Sequence, residues 1–183
     1  DKYKWVPAQG FWIREPKIYE KTKMISMIAS NKRMCEGHTK RLEWVERIGD
    51  QVDLYGRGFN EISCKEDGLR DYMFSVGIEN AVYDTFFTEK LTDCFACGTI
   101  PVYYGTAGVA QYFNHEGIIF LDQNQPWENI PWDKLTPEYY ESKKDAIEEN
   151  FNIAKEMRTA EDYMYKNYLV QLDPLRNQRP VTV

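Results

Sequence analysis

The stretch that decides the fold, Asp71–Gly105, reads DYMFSVGIENAVYDTFFTEKLTDCFACGTIPVYYG. An apolar run, Phe74–Ile78, is followed by polar residues, and a second apolar run covers Thr99–Tyr104. Between them, Phe87–Cys97 has apolar residues at helical spacing, with Gly98 where a helix would end. Near-continuous apolar runs are typical of strands buried on both faces. The stretch therefore predicts a strand, a loop, a helix and a second strand.

Outside this stretch, the chain repeats the alternation of strands and helices. Further strands are predicted at Lys23–Ser30, Gln51–Tyr55 and Gly117–Leu121, and further helices at His38–Ile48, Val109–Phe113, Pro137–Glu156 and Ala160–Val170. Five strands that alternate with helices predict an α/β fold, a Rossmann-like parallel sheet with helices on both faces. Right-handed crossovers then place the first and fourth strands side by side, at the point where the strand order reverses.

The length and composition fit one globular domain. A chain of 183 residues is enough for a substantial core, and 43% of the residues are hydrophobic. We expect a lead-in segment or linker remnant at 1–22, the domain at 23–172 and a tail at 173–183. The chain begins at Asp1 instead of Met, which fits a piece of a longer protein.

Charge and hydropathy argue against nucleic-acid binding and against a membrane-spanning segment. The net charge of −6 argues against broad nucleic-acid binding, which requires a basic surface. No apolar run approaches the roughly 20 residues that a membrane-spanning helix needs. We therefore expect no nucleic-acid partner and no transmembrane segment in this chain.

Four cysteines bear on redox chemistry and location: Cys35, Cys64, Cys94 and Cys97. The last two form a C-x-x-C, a spacing found in redox and zinc sites. Here the motif lies inside a predicted helix, and a structural zinc site needs four ligands. We interpret the pair as buried or half-buried free thiols. Free thiols favour a reducing compartment, so we expect a cytoplasmic location, or a membrane-peripheral one on the reducing side.

Charged residues at two predicted helix starts indicate an anion site. Arg41 lies in the first turn of its helix, where a cation is unfavourable unless it faces an anion that also uses the helix end. Lys90 and Glu89 lie at the start of the helix after the third strand, for which Asp84 and Thr85 are candidate N-caps. Two cations suit a pyrophosphate, and an adjacent carboxylate suits sugar hydroxyls. The alternative is that all three side chains are simply solvated.

The order IENAVYDTFFTEKLTDCFACGTIPVYYG resembles the donor-binding signature of the α1,3-fucosyltransferases, glycosyltransferase family ten. The matching residues are Glu79-Asn80, Thr88-Glu89-Lys90, Gly98, Pro101-Val102 and Gly105. Upstream, MIASN at Met27–Asn31, followed by Arg41, is similar to the Ser-Asn segment and phosphate-binding arginine of that family. The resemblance covers roughly Lys23–Leu121, and it implies the C-terminal half of a GT-B glycosyltransferase.

The same resemblance implies roles for individual residues. Arg41 and Lys90 would bind the donor pyrophosphate and stabilise the leaving diphosphate, while Glu89 would bind donor sugar hydroxyls; these three are the predicted catalytic residues. The predicted donor-binding residues are Ser30, Asn31, Asn80, Tyr83, Phe86 and Thr88. The implied donor is GDP-fucose, whose fucosyl group would be transferred with inversion to a glycan acceptor. No cofactor would be required, and a divalent metal would be at most stimulatory.

Three positions depart from the family pattern: Phe86 where the family usually has Tyr, Ala81 in place of Ser, and Met73 where a Lys often stands. The acceptor site and general base of the family lie in an N-terminal domain, and too few residues precede the first predicted strand to form one. A nucleotide-binding or interaction module without transfer activity is therefore the alternative function. The sequence leaves the oligomeric state open.

Overall fold

The computed structural model describes residues 9–124 and 127–170 and contains one five-stranded, all-parallel sheet. The strands are β1 (Lys23–Ile28), β2 (Asp53–Tyr55), β3 (Tyr72–Ile78), β4 (Ile100–Tyr104) and β5 (Ile119–Phe120). The α-helices are α1 (Glu36–Ile48), α2 (Glu89–Ala96), α3 (Pro137–Ser142), α4 (Lys144–Glu156) and α5 (Ala160–Met164). The predicted parallel α/β fold is confirmed. The predicted tail and residues 1–8 of the lead-in segment lie outside the described residues, so the domain boundaries stay a prediction.

The strand order is β2-β1-β3-β4-β5, and this corrects the prediction that the first and fourth strands are neighbours. β1 pairs with β3 instead, with Ile25 opposite Phe74 and Met27 opposite Val76. The prediction was wrong because the chain returns past β1 after only two strands, so that β3 takes the place expected for β4. The crevice at the reversal point therefore lies between β1 and β3.

The sheet is buried on both faces, as the apolar runs predict. On β4, Val102 packs in a core with Trp44 of α1. The next residue, Tyr103, packs in a second core with Leu91 of α2 and Ala154 of α4. Successive strand residues point to opposite faces, so helices cover both sides of the sheet. Within the described ranges, every helix is too short or too polar to span a bilayer.

The helix predicted over Pro137–Glu156 is divided into α3 and α4 at Lys143, where the backbone leaves helical geometry (φ −106°, ψ 12°). The break lets each half make its own contact: the Tyr140 hydroxyl donates to the Gly98 carbonyl at 2.7 Å, and Asn150 pairs with the backbone of Asn114. The helix predicted at Ala160–Val170 is present as α5, followed by a π-helical turn, Tyr165–Leu169.

Candidate functional site

A cavity of about 300 Å³ opens at the carboxyl ends of β1 and β3, beside the first turns of α2. This is the position expected for a ligand site in an open parallel sheet. The charged and polar groups that line it come from several elements. The basic groups are Lys32, Arg41, Lys65 and Lys90, and the acidic ones are Glu89 and Asp93. Four cations against two carboxylates give this cavity a local positive charge in a chain whose net charge is −6.

Two glycines let the loops around the cavity approach each other closely. Gly56 has φ +111°, and a Cβ there would lie 2.0 Å from the Ala29 carbonyl oxygen. A Cβ on Gly37, near the start of α1, would lie 2.0 Å from the Asn80 carbonyl oxygen. The Gly56-Arg57-Gly58 sequence is thus a turn that supports the loop after β1, and it does not line the cavity.

Arg41 is the anchor of the cavity on the α1 side. Its side chain is buried, with 7% of the residue exposed. The guanidinium donates to the Asn80 side-chain oxygen at 2.9 Å and to the Ser30 hydroxyl at 3.3 Å, and its Nε has no partner. Burial lowers the pKa of Arg41, which nevertheless stays charged at neutral pH. Among the described residues, no carboxylate forms an ion pair with Arg41, so no acidic side chain there compensates its charge directly.

The predicted binding residues Ser30, Asn80 and Asn31 take different positions. Ser30 lines the cavity and contacts Arg41. Asn80 acts through its contact with Arg41 and is otherwise exposed. Asn31 is exposed outside the cavity walls, and its side chain lies so close to Gly58 that a Cβ there would be 2.3 Å from its Nδ2. The donor-binding roles of all three stay predictions.

The N-cap of α2 is Thr88, which corrects the candidates Asp84 and Thr85. An N-cap needs an extended backbone, and Thr88 has one (φ −129°, ψ −174°), whereas Thr85 lies in the left-handed region at φ +63°. The Thr88 hydroxyl accepts from the backbone N–H of Lys90. The true cap thus belongs to the Thr-Glu-Lys motif itself.

The side chain of Glu79 binds the residues that begin α2, a role that the sequence analysis missed. Its side chain is fully buried. One carboxylate oxygen accepts from the Thr88 backbone N–H at 2.8 Å and from the Tyr103 hydroxyl at 3.2 Å. The other accepts from the Thr88 hydroxyl at 2.7 Å and from the Lys90 ammonium at 3.2 Å. Burial and the Glu79 charge raise the pKa of Tyr103, so this hydroxyl remains a donor.

Lys90 lines the cavity, but its ammonium is not a free cation. Besides its contact with Glu79, it donates to the Thr88 hydroxyl at 2.9 Å. An ammonium has three donors, so one N–H remains for a ligand. Glu79 and Thr88 thus fix the position of the Lys90 ammonium beside the cavity.

Glu89 lines the same cavity beside two cations. Its carboxylate lies 3.4 Å from the Lys65 ammonium and 4.0 Å from that of Lys90. Burial raises the pKa of Glu89, but the charges of Lys65 and Lys90 outweigh it, so the net shift is downward. Glu89 is therefore an acceptor-only carboxylate at neutral pH, as a contact with sugar hydroxyls requires.

The comparison with known families places the chain in one of them. The family model described as "Glycosyltransferase family 10 (fucosyltransferase) C-term" matches residues 18–129. The chain belongs to glycosyltransferase family 10. This family domain contains every wall of the cavity described above. The resemblance that the sequence analysis drew is confirmed.

Relatives and solved structures agree with this assignment. GDP-fucose protein O-fucosyltransferase 3 of Bos taurus is 36% identical over 112 residues, which are 51% of this chain and 23% of that protein. Alpha-(1,3)-fucosyltransferase C of Drosophila melanogaster is 34% identical over 97 residues, 48% of this chain and 22% of that protein. The chain spans less than a quarter of the length of either relative.

The fold is also that of solved α1,3-fucosyltransferases. One crystal structure matches with a TM-score of 0.50 and 22% identity over 71% of this chain and 38% of that one. Another, with GDP, matches with a TM-score of 0.50 and 18% identity over 88% of this chain and 49% of that one. At these identities the likeness concerns the fold alone.

Two aromatic residues predicted for the donor site of this family-10 domain lie away from the cavity walls. Tyr83 is 66% exposed, and Phe86 packs edge-to-face on it with ring centroids 5.9 Å apart. Both belong to the connector between β3 and α2. Phe87, the next aromatic, is buried in the core around α2. The cavity therefore holds Arg41, Glu89 and Lys90 together and leaves the two aromatics outside.

Metal-ligating groups do not cluster in the described part of this family-10 domain: no three His, Cys, Asp or Glu side chains are placed to hold an ion. Cys94 and Cys97 are free and buried, which confirms the thiol interpretation of the C-x-x-C. Burial raises the pKa of both thiols, that of Cys94 to about 12. Neither cysteine is a thiolate at neutral pH.

Proposed function

We propose that this chain is the donor-binding part of a fucosyltransferase, which binds GDP-fucose for inverting transfer to a glycan acceptor. The observation that carries the proposal is Arg41, which lines the cavity with a buried guanidinium. Its hydrogen-bond partners are the neutral side chains of Asn80 and Ser30, and no carboxylate pairs with it among the described residues. A buried charge without a counter-ion is costly. A diphosphate in the cavity would supply that counter-ion.

The proposed mechanism assigns the charges of the cavity to parts of the donor. Arg41 and the remaining N–H of Lys90 hold the diphosphate, and they stabilise the charge that builds on it as the bond to the sugar breaks. Glu89 accepts hydrogen bonds from sugar hydroxyls and orients the ring. In one displacement, the acceptor hydroxyl oxygen attacks the anomeric carbon from the face opposite the diphosphate and so inverts it. The bond between the anomeric carbon and the diphosphate oxygen breaks, GDP leaves with the electron pair, and the proton of the acceptor hydroxyl passes to a base or to water. Two fixed cations thus do the work that a metal ion does at other phosphate-transfer sites.

Calorimetry with GDP and GDP-fucose tests the donor assignment. Arg41→Gln should weaken the binding of both ligands by at least about tenfold, because a charge-assisted hydrogen bond to the diphosphate is lost. The matched control is Arg47→Gln, since Arg47 is an exposed arginine in the last turn of the same helix. Unchanged affinity in folded Arg41→Gln, or no binding by the wild type, would refute the proposal.

Transfer itself needs a separate measurement. The full chain is incubated with GDP-fucose and glycan acceptors, and release of GDP is followed against hydrolysis without an acceptor. General-base assistance contributes roughly 10²–10⁴-fold, so transfer without such a base should be slow. Tight donor binding without any transfer would favour the alternative function, a nucleotide-binding module.

A further inference from the structure

Two carboxylates of α2 lie one helical turn apart beside the cavity, and one lysine bridges them. Glu89 and Asp93 are at positions i and i+4, which share a face of a helix. The Lys65 ammonium lies 2.6 Å from the Asp93 carboxylate and 3.4 Å from that of Glu89. All three residues line the cavity. Lys65 and Asp93 are outside the Thr-Glu-Lys motif.

Like charges at positions i and i+4 destabilise a helix, and the Lys65 ammonium offsets the repulsion between the two carboxylates. Asp93 is also buried, with 2% of the residue exposed, and burial raises its pKa against the effect of Lys65. Its other oxygen accepts from the Trp12 backbone N–H at 2.6 Å. Asp93 is therefore fixed on both sides, and it holds Lys65 in place. Lys65 in turn faces Glu89, which is the more exposed of the two carboxylates.

The backbone around Lys65 is held on the sheet independently of these charges. Lys65 begins the 3₁₀ turn Lys65–Gly68. The Gly68 carbonyl accepts from the Ser26 hydroxyl on β1 at 2.6 Å, and a Cβ on Gly68 would lie 2.9 Å from Ile28. The turn therefore packs tightly on β1. A substitution of the Lys65 side chain should leave the turn in place.

We propose that Lys65 is a positioning residue for Glu89, and that Asp93 anchors Lys65. The proposal rests on the proposed function, in which Glu89 contacts the sugar of the donor. Lys65 holds the Glu89 carboxylate toward the cavity, so that its remaining lone pairs meet the sugar hydroxyls. Arg41 and Lys90 hold the diphosphate without this bridge. Lys65 thus acts on the sugar part of the donor, and it should discriminate GDP-fucose from GDP.

The test compares the dissociation constants of GDP-fucose and GDP by calorimetry. Lys65→Met should raise the dissociation constant of GDP-fucose by roughly 5–20-fold, because a charged hydrogen bond to the sugar loses its geometry. The dissociation constant of GDP should stay within about twofold of the wild-type value. Lys65→Arg should restore most of the GDP-fucose affinity. Lys40→Met is the matched control, because Lys40 forms an exposed ion pair with Glu36 on α1. It should change neither constant.

Asp93→Asn provides a second variant that keeps a carbonyl oxygen for the Trp12 N–H. This change removes the ion pair that holds Lys65. The affinity for GDP-fucose should therefore fall by about threefold, and the affinity for GDP should stay the same. A purely structural bridge would instead lower the unfolding midpoint and leave the ratio of the two constants unchanged in both variants; that result overturns the proposal alone. Absence of binding by the wild type removes the proposed function, and this proposal with it.

Discussion

The Lys90 ammonium donates to the buried carboxylate of Glu79 at 3.2 Å, so the cation of the Thr-Glu-Lys motif is paired with the acid at the end of β3. The same carboxylate also accepts two hydrogen bonds from Thr88. β3, the cap of α2 and a cation of the cavity are therefore joined through one side chain. In this chain, the spacing between Glu79 and Thr88 lets the carboxylate reach the helix start across the connector.

Glu79→Gln should destabilise the fold. A glutamine offers one acceptor oxygen where the carboxylate offers two, and its amide N–H groups would face the donors of Thr88 and Lys90. We expect the free energy of unfolding to fall by about 2–3 kcal/mol, as measured by urea denaturation. Tyr103→Phe removes one long hydrogen bond to the same carboxylate and should cost only about 1 kcal/mol. Equal effects of the two changes would contradict this account of Glu79.

Thr88 should be sensitive to loss of its hydroxyl and tolerant of loss of its methyl group. The hydroxyl caps α2 and links Glu79 to Lys90. Thr88→Ala should therefore lower the free energy of unfolding by about 1–2 kcal/mol, whereas Thr88→Ser should cost less than about 0.5 kcal/mol. Thermal unfolding followed by circular dichroism measures both. If serine proved as harmful as alanine, the hydroxyl would not be the important group.

Gly37 and Gly49 lie at opposite ends of α1 and provide a matched pair. Gly37→Ala would place a Cβ 2.0 Å from the Asn80 carbonyl oxygen and push α1, which carries Arg41, away from the loop that contains Asn80. Overpacking of this kind costs about 1–3 kcal/mol, and GDP affinity should fall with it. At Gly49 the backbone is helical (φ −57°), and a Cβ would lie 3.7 Å from Val45, so Gly49→Ala should stabilise by about 0.4–1 kcal/mol. Urea denaturation and GDP calorimetry of both variants test this contrast.

The sheet and the central residues of the cavity could be predicted from sequence because their signals are local. A few adjacent residues are enough to predict the apolar run of β3 and the helix start at Glu89. Parallel strands bring such helix starts to one edge of the sheet. The order of the strands was predicted wrongly, because nothing local shows whether β3 or β4 pairs with β1. That choice is made by long-range packing.

The roles of Lys65 and Glu79 could not be predicted from the sequence, because they depend on tertiary contacts. Lys65 lies in a polar segment without periodicity, and it reaches the cavity only because its turn packs on β1. Glu79 was part of the quoted motif, yet its burial beneath α2 is a tertiary fact. Asp93 carried a usable signal, since it stands four residues after Glu89 on the same helical face.

The cysteines of the native chain should react with a disulfide reagent at pH 8 at rates that follow their exposure. Cys35 is exposed and should react quickly, Cys64 is half-buried and should react more slowly, and Cys94 and Cys97 are buried. Burial raises the pKa of Cys94 to about 12, and its Sγ already contacts the Lys90 carbonyl at 3.2 Å. Because only the thiolate attacks, and pH 8 lies well below that pKa, the buried pair should react only after urea is added.

Cys35→Ser supplies the control, since it should remove the fast phase and leave the slow thiols unchanged. Mass spectrometry after reaction identifies the modified cysteines. Rapid labelling of Cys94 and Cys97 in the native chain would contradict their burial and revive a redox role for the C-x-x-C. Protection that persisted in urea and ended with a chelator would indicate a bound metal instead, because chelators release thiols that a metal holds.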